Sequence, residues 1–347
     1  PASPAKPVAP LKGETRLSNV RQLTFGGENA EAYFSFDGAR LAFQASKGPG
    51  TCDQIYTMKI DGSDVRRISD GGRTTCSYYT PDGKSIVYAS TVKGGRECPP
   101  VPSFAQGYVW PIYDTYDIYA ANADGSNVRP LTTTPGYDAE ATIRKDGRIV
   151  FTSVRDGDME IYSMNADGSG VRRLTHRDGP DGGPLFSPDG KQIVFRGRAL
   201  QAGPELDDYR ALLKKGLWRP TSLEIFVMNE DGSNLRQVTN LKAASFAPFF
   251  TPDGKQIIFS TNVGDPKGRN FDLYLINADG TGLERVTHNE VLVSRWRGAA
   301  EVPFWKGNQL DRGQQISLGL PLLITVRSRS VPASGAMVTF SISFVPS

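Results

Sequence analysis

The feature that most constrains this 347-residue chain is a pair of Asp-Gly turns that returns in a fixed phase. The clearest copy runs from Tyr137 to Thr175, YDAEATIRKDGRIVFTSVRDGDMEIYSMNADGSGVRRLT. Ala141–Ile143 reads as a short strand, ended by the turn Lys145-Asp146-Gly147. Arg148–Ser153 alternates polar and apolar residues around Ile149 and Phe151, the period of a half-buried strand. A second turn, Arg155-Asp156-Gly157-Asp158, leads to Glu160–Asn165, which is rich in branched and aromatic residues. The hairpin Asp167-Gly168-Ser169 then joins it to a last strand, Val171–Thr175. Glycine supplies the positive φ that such hairpins need. Four antiparallel strands joined by tight turns in about forty residues make one blade of a β-propeller.

The first turn recurs at Asp37, Asp82, Asp146, Asp189 and Asp253, and the hairpin at Asp61, Asp124, Asp167, Asp231 and Asp279. The end of the fourth strand recurs six times, as Leu23-Thr24, Ile68-Ser69, Leu131-Thr132, Leu174-Thr175, Val238-Thr239 and Val286-Thr287. Leu23-Thr24 precedes any first strand, so Thr15–Thr24 is expected to be a fourth strand that completes the last blade. Pairing both chain ends in this way removes the open sheet edges that invite aggregation. The expected fold is all-β, a six-bladed propeller of four-stranded antiparallel blades. Its N-terminal strand closes the last blade, which is atypical. Residues 1–14 are Pro/Ala-rich and expected as a flexible linker, and 15–290 hold the closing strand and blades 1–5. In 291–347 the pattern breaks, leaving either a diverged sixth blade or a non-native tail.

The motifs PDGK followed by an I/V-F pair, and NxDGSxxxxLT, resemble the TolB-type six-bladed propeller family over about residues 17–289. The resemblance implies the propeller fold and an envelope protein partner. The same repeat serves binding proteins, peptidase-associated domains and exported proteins alike, so the fold does not by itself assign a function. TolB carries a separate α/β domain ahead of its propeller. Here about fifteen residues precede the first motif, so the chain is expected to be TolB-like rather than TolB itself. The resemblance and the opening PASPAKPVAP point to an exported location, periplasmic or secreted.

Charge excludes one class of partner. Of the net charge of +3, about +4 sits in 291–347 and about −1 in the remainder, so the repeat body has no nucleic-acid footprint. No apolar run is long enough to span a bilayer, so an integral membrane protein is not expected, and a monomer is. Three cysteines, Cys52, Cys76 and Cys98, fall in one region. A Cys52–Cys98 disulfide would pin the blade 2 insertion to the neighbouring blade, and three free thiols are the alternative.

Successive hairpin aspartates lie 63, 43, 64 and 48 residues apart, which records insertions in blades 2 and 4. The first, Thr91–Thr115, carries Phe104, Tyr108, Trp110 and Tyr113 among Pro and Gly. The second, Ala199–Thr221, has Leu206, Tyr209, Leu212 and Leu213 at helical spacing and Gly216 as terminator. Both occupy the same place in their blades, so they should emerge on one face and wall a pocket over the axis.

Catalytic signatures are thin. His176 and His288 each follow a fourth-strand motif, and neither GxSxG, HExxH nor zinc spacing occurs. The NADGS and NEDGS hairpins lack the spaced acids of a calcium loop. Aligning first strands on their turns places Glu31, Cys76, Glu140, Gly183 and Ala247 in one column, and Asn29, Thr74, Asp138, Asp181 and Ser245 two residues earlier. Glu31, Asp138, Glu140 and Asp181 are therefore expected as a partial acidic ring at the channel mouth. It would hold a hard cation, with calcium as the candidate cofactor, or the cationic group of a ligand. A water-filled mouth is the plainer alternative. Asp117, Glu160, Glu224 and Asp272 open the third strands and are expected in blade-to-blade hydrogen bonds.

The expected function is that of a non-catalytic exported binding or scaffold propeller. It would engage a protein, peptide or small ligand at its funnel face through the acidic ring and Phe104, Tyr108 and Trp110. A metal-dependent lyase or hydrolase, and a purely structural domain, are the alternatives.

Overall fold

The computed structural model describes residues 5–288, save 19, 26–27, 47–50, 103–104, 106 and 266–269, together with the backbone of Leu322–Thr325 and Ser343–Phe344. It contains five complete four-stranded antiparallel blades, each with its strands in chain order. Blade 1 is Glu28–Phe34, Arg40–Ser46, Gln54–Lys59 and Arg66–Arg67. Blade 2 is Thr74–Tyr79, Ser85–Ser90, Asp117–Asn122 and Arg129–Pro130. Blade 3 is Asp138–Ile143, Ile149–Ser153, Glu160–Met164 and Arg172–Arg173. Blade 4 is Asp181–Phe186, Gln192–Gly197, Glu224–Asn229 and Arg236–Gln237. Blade 5 is Ser245–Phe250, Gln256–Thr261, Asp272–Asn277 and Glu284–Arg285. First strands of successive blades touch one another, which puts them innermost. The core lies between blades: Val87, Ile118, Phe151, Tyr162, Val194, Ile225, Ile257 and Phe259 belong to one buried cluster shared by blades 2 to 5.

Two side-chain devices repeat because two sequence motifs repeat. At the first turn of blades 1, 2, 4 and 5, the Asp carboxylate accepts from the Ser or Thr two residues before it and from the backbone two residues after it, at 2.7 and 3.1 Å for Asp82, while in blade 3 Arg144 takes the hydroxyl's place beside Asp146. The Thr80 hydroxyl and the Lys84 amide hold that carboxyl below its usual range. At the fourth strand, the buried Thr hydroxyl accepts from the third-strand backbone and donates to the third-strand acid. Ile225 N donates to Thr239 Oγ1 at 2.8 Å, and Thr239 Oγ1 donates to Glu224 Oε2 at 2.6 Å. Asp272 and Thr287 repeat the bond at 2.8 Å, while Gln54 and Ser69 do so in blade 1 at 2.9 Å. These bonds of the third-strand acids lie within their own blade, and Glu224 also accepts from the Leu241 and Lys242 amides on the way to blade 5, at 3.0 and 2.8 Å. Third and fourth strands are neighbours, and the register puts acid and hydroxyl side by side.

The seam differs from expectation in detail. Within 15–24 the strand is only Val20–Gln22. It pairs on one side with Lys6–Pro7, inside the stretch expected as a linker, and on the other with Leu322–Thr325, which pairs with Ser343–Phe344. Leu17 and Val20 pack on Ile258, Leu273, Leu275 and Val286 of blade 5, while Leu23 packs on Leu41, Phe43 and Met58 of blade 1. Arg16 pairs with Glu284 at 2.6 Å, and the His288 amide donates to Glu14 at 3.2 Å. Elsewhere each hairpin glycine lies close against the outer strand of the preceding blade; a Cβ on Gly232 would come within 2.6 Å of the Leu174 carbonyl oxygen. Gly62 of blade 1 faces the Leu23 carbonyl in the same way, at 3.6 Å. The N-terminal strand therefore stands where the outer strand of a blade before blade 1 would stand.

Candidate functional site

Every complete blade has a β-bulge in its innermost strand, between Ala30 and Tyr33, Thr75 and Tyr78, Ala139 and Thr142, Gly182 and Leu185, and Phe246 and Phe249. Inside each bulge one residue has positive φ: Glu31 (51°), Cys76 (49°), Glu140 (56°), Gly183 (62°) and Ala247 (48°). This is the column that aligning the turns brings together. A left-handed conformation costs a non-glycine residue about 1–3 kcal/mol, and bulges of this kind re-aim side chains beside functional sites.

Second-strand residues brace the bulges. Gln44 Oε1 accepts from the Thr75 hydroxyl at 2.7 Å and the Cys76 amide at 3.2 Å. Thr152 Oγ1 donates to Glu140 Oε2 at 2.7 Å, and that same oxygen accepts from the Gly183 amide at 2.9 Å. One blade thereby holds the bulge of the next. In blade 4 the corresponding second-strand residue is Arg196, which is 7% exposed and pairs with Glu140 Oε1 at 2.6 Å. Its Nε has no hydrogen-bond partner among the described residues. Glu31 takes the Tyr33 hydroxyl, and the Tyr33 and Tyr78 rings stack 4.1 Å apart. Burial raises the Glu31 carboxyl above its usual range, and the Glu140 charge adds to this against the opposing Tyr33 bond and Arg196 charge. Burial, reinforced by the Glu31 and Glu140 charges, likewise pushes the Cys76 thiol well up.

The four acids expected as a ring divide into two pairs. Glu31 and Glu140 share the axial cluster with Arg196 and Cys76. Asp138 and Asp181 are buried beside guanidinium groups, Asp138 with Arg155 at 2.8 Å and Asp181 with Arg177 Nε at 3.0 Å. Burial outweighs Arg177 and leaves the Asp181 carboxyl at about 6. Among the described residues no group of three or more His, Cys, Asp or Glu is arranged to hold a metal ion. His176 is exposed and His288 lies at the seam, so neither joins the axial acids.

Over one end of the channel the two insertions become a cap. Trp110–Pro111 pairs antiparallel with Leu217–Trp218, extended by an Ile112 amide to Gly216 carbonyl bond of 2.7 Å. The helical spacing in blade 4 becomes a helix, α1, over Pro204–Leu213, with Leu206, Tyr209 and Leu212 buried. Tyr209 docks it onto blade 3 by donating to Asp158 Oδ1 at 2.5 Å. Trp218, 2% exposed, sits edge-on to Trp110, which stacks on Phe246 at 5.4 Å. Arg196 lies beneath the Trp218 and Phe246 rings, 5.6 and 5.8 Å from their centroids, so cap and axial cluster meet at this guanidinium. Cys52 and Cys98 are disulfide-bonded, with Cα atoms 5.6 Å apart, tying the blade 2 insertion to blade 1, while Cys76 is free and buried.

Of the aromatic residues expected to meet a ligand, Trp110 packs the cap, Tyr108 accepts the Trp110 indole proton at 2.7 Å, and Phe104 lies outside the described residues. Between the cap and blade 3 lies a cleft of about 730 Å³, whose lining includes Pro111, Ile112, Tyr113, Tyr137, Leu213 and Lys214. Tyr137 connects it to the axis, because its hydroxyl feels the charge of Glu140. A pocket walled by the two insertions was expected from the sequence, but Arg196 was not foreseen. A signal for Arg196 exists: the second-strand column reads Gln44, Ala89, Thr152, Arg196 and Ser260, one charge among small or neutral residues.

A family model described as the TolB beta propeller domain matches residues 112–203. An uncharacterized peptidase of Bacillus subtilis (strain 168), YuxL, is 26% identical over 252 residues, covering 69% of this chain and 31% of the relative, so the chain spans about a third of that protein's length. TolB from Acinetobacter baumannii superposes with a TM-score of 0.57 at 17% identity, over 82% of this chain and 63% of that one. A gluconolactonase from Xanthomonas campestris does so at 0.53 and 15%, over 83% and 88%. At such identities these structural likenesses speak for the fold alone. The phased turns, the bulged inner strands and the matched family model together mark this chain as a TolB-like β-propeller.

Proposed function

We propose that this propeller is a binding module that takes a protein or peptide at its capped face. The observation that carries this reading is the union of the two insertions: they lie on non-adjacent blades, yet pair with each other and enclose a cleft of about 730 Å³. That volume is in the range of ligand sites, about 300–1,000 Å³. The cap frame is built by Trp110, Tyr108 and Trp218, and Tyr113 and Tyr137 offer aromatic faces to the cleft. Chain reversal alone needs neither feature, since blade 3 makes the same connection with Arg155-Asp156-Gly157-Asp158.

The ring is proposed to have six positions, with residues 15–290 as its body and the sixth filled by Val20–Gln22 and strands from 291–347. Export to the periplasm or cell surface accords with the family likeness and with a Cys52–Cys98 disulfide, a bond that persists in oxidising compartments. Among the described residues no helix is long and apolar enough to cross a membrane. The axial acids contribute polarity at the base of the cap. A metal-dependent lyase or hydrolase is the weaker reading, because Asp138 and Asp181 are occupied by arginines, which leaves Glu31 and Glu140 of the four acids at the axis.

The test is peptide selection from a displayed random library, run in parallel on the intact chain and on a variant with residues 205–215 replaced by a Gly-Ser linker. Sequences enriched by the intact chain and lost with the variant support the reading. Equal enrichment by both, or by neither, removes it.

A further inference from the structure

Resting on that binding reading, we propose that the cleft recognises an acidic, extended segment of a partner protein, with carboxylates against Lys214 and Lys215 and apolar side chains against the walls. The charges on this face are unevenly used. Its arginines are paired with acids: Arg73 with Asp53, Arg155 with Asp138, Arg177 with Asp181, Arg198 with Glu205 and Arg210 with Asp178. Lys214 and Lys215 line the cleft, are exposed, and form no ion pair among the described residues. Among the lining residues Asp114 is the single acid, and with Arg210 neutralised by Asp178, two lysines face one aspartate.

A lysine after a helix is often explained by the carbonyls of the last turn. Here three of those carbonyls are already engaged. Arg210 O accepts from the Lys214 amide at 3.1 Å, Leu212 O from Lys215 at 2.8 Å and Leu213 O from Gly216 at 2.9 Å. The ammonium groups are therefore available to an incoming acid. The arrangement also selects the form of that acid. A compact anion is held by several donors converging in a recess, often a bidentate arginine. In this cleft the free cations are exposed lysines, while Pro111, Ile112, Tyr113, Tyr137 and Leu213 provide apolar surface. Apolar contact within and charge complementarity around it suit an amphipathic peptide.

The experiment uses fluorescence anisotropy with the full chain and three fluorescein-labelled decapeptides, in which leucine alternates with glutamate, serine or lysine. The Glu/Leu peptide is expected to bind at least tenfold more tightly than the others, and raising salt from 0.05 to 0.5 M should weaken it severalfold. The double variant Lys214→Glu/Lys215→Glu should lose at least tenfold in affinity. The same reversal at Lys84 and Lys191, on exposed turns joining first and second strands, should change it less than twofold. If the Ser/Leu peptide binds as tightly, and Tyr113→Ala weakens it, the cleft is a peptide site but the acidic preference is wrong. If no peptide binds, or if binding ignores both Lys214/Lys215 and Tyr113, the preference and the binding reading fall together.

Discussion

The two ends of this propeller are built on opposite rules. At the end bearing the Asp-Gly turns the blades are near copies: one carboxylate, one hydroxyl and one glycine recur in each, and the turn aspartates Asp61, Asp82, Asp124 and Asp167 are fully exposed and held below their usual range by local hydrogen bonds. At the other end the blades differ. Two carry insertions, charges are buried, and Arg196, paired with Glu140, lies beneath aromatic rings. Repetition specifies the scaffold. The departures from it, placed where strands two and three join, specify the site.

If this contrast is right, substitutions should cost most at the capped end and least at the turns. Trp218→Ala empties the middle of the cap and should cost about 3–5 kcal/mol by urea denaturation. A loss below about 1 kcal/mol would mean that the cap is not part of the cooperative unit. Arg196→Met leaves Glu140 unpaired in a largely buried position and should cost about 3–5 kcal/mol as well, whereas the double variant with Glu140→Met should recover part of it. No recovery would break the assignment of this pair as a single unit.

Between the extremes lies the fourth-strand threonine. Thr239→Val and Thr287→Val should each cost about 1–3 kcal/mol, because both remove a bond from the third-strand acid and leave the buried backbone amide they serve unpaired. Unequal costs would show that the copies are not energetically equivalent.

A smaller effect concerns pH. Glu160 is buried, and although Thr175 and Arg173 oppose this, its carboxyl stands at about 7, above the unfolded value. Its folded form therefore binds the proton more tightly than the unfolded chain, so its contribution is present at low pH and is lost as pH rises toward and through 7. Melting curves from pH 5 to 8 should decline less steeply for Glu160→Gln than for the parent, and identical slopes would refute the assignment. The smallest effect belongs to Asp167→Ala on an exposed hairpin, expected to leave the urea midpoint nearly unchanged.

Much of the repeating end could be read from the residues. Asp-Gly pairs dictate turns through their own backbone chemistry, so strands and their order followed, as did α1 from the spacing of Leu206, Tyr209 and Leu212. The closing strand was legible because Leu23-Thr24 matched a motif that had no blade of its own, although among the described residues five blades are complete and Val20–Gln22 lies in a sheet of short strands. At the capped end the residue column was legible but its conformation was not. Glu31, Cys76 and Ala247 are not residues that announce a left-handed backbone, which the bulge imposes through its bracing from the second strand. The division of the four acids into two pairs was hidden for a related reason. Asp138 and Asp181 precede the bulge, on the far side of the reversal that turns Glu140 inward, and meet Arg155 and Arg177 instead. Arg196 stands 56 residues from Glu140, beyond the reach of any local pattern.

The short ribbon between Trp110–Pro111 and Leu217–Trp218 has a mechanical consequence. It straps blade 2 to blade 4 over the top of blade 3, which makes those three blades a hoop segment with no slack. Among the described residues, blades 1 and 5 are bridged by the N-terminal segment, with Leu17 and Val20 on one and Leu23 on the other. Under tension, or on heating, the molecule should come apart like a bracelet at its fastener, leaving the capped arc and its cleft intact after the circle has opened.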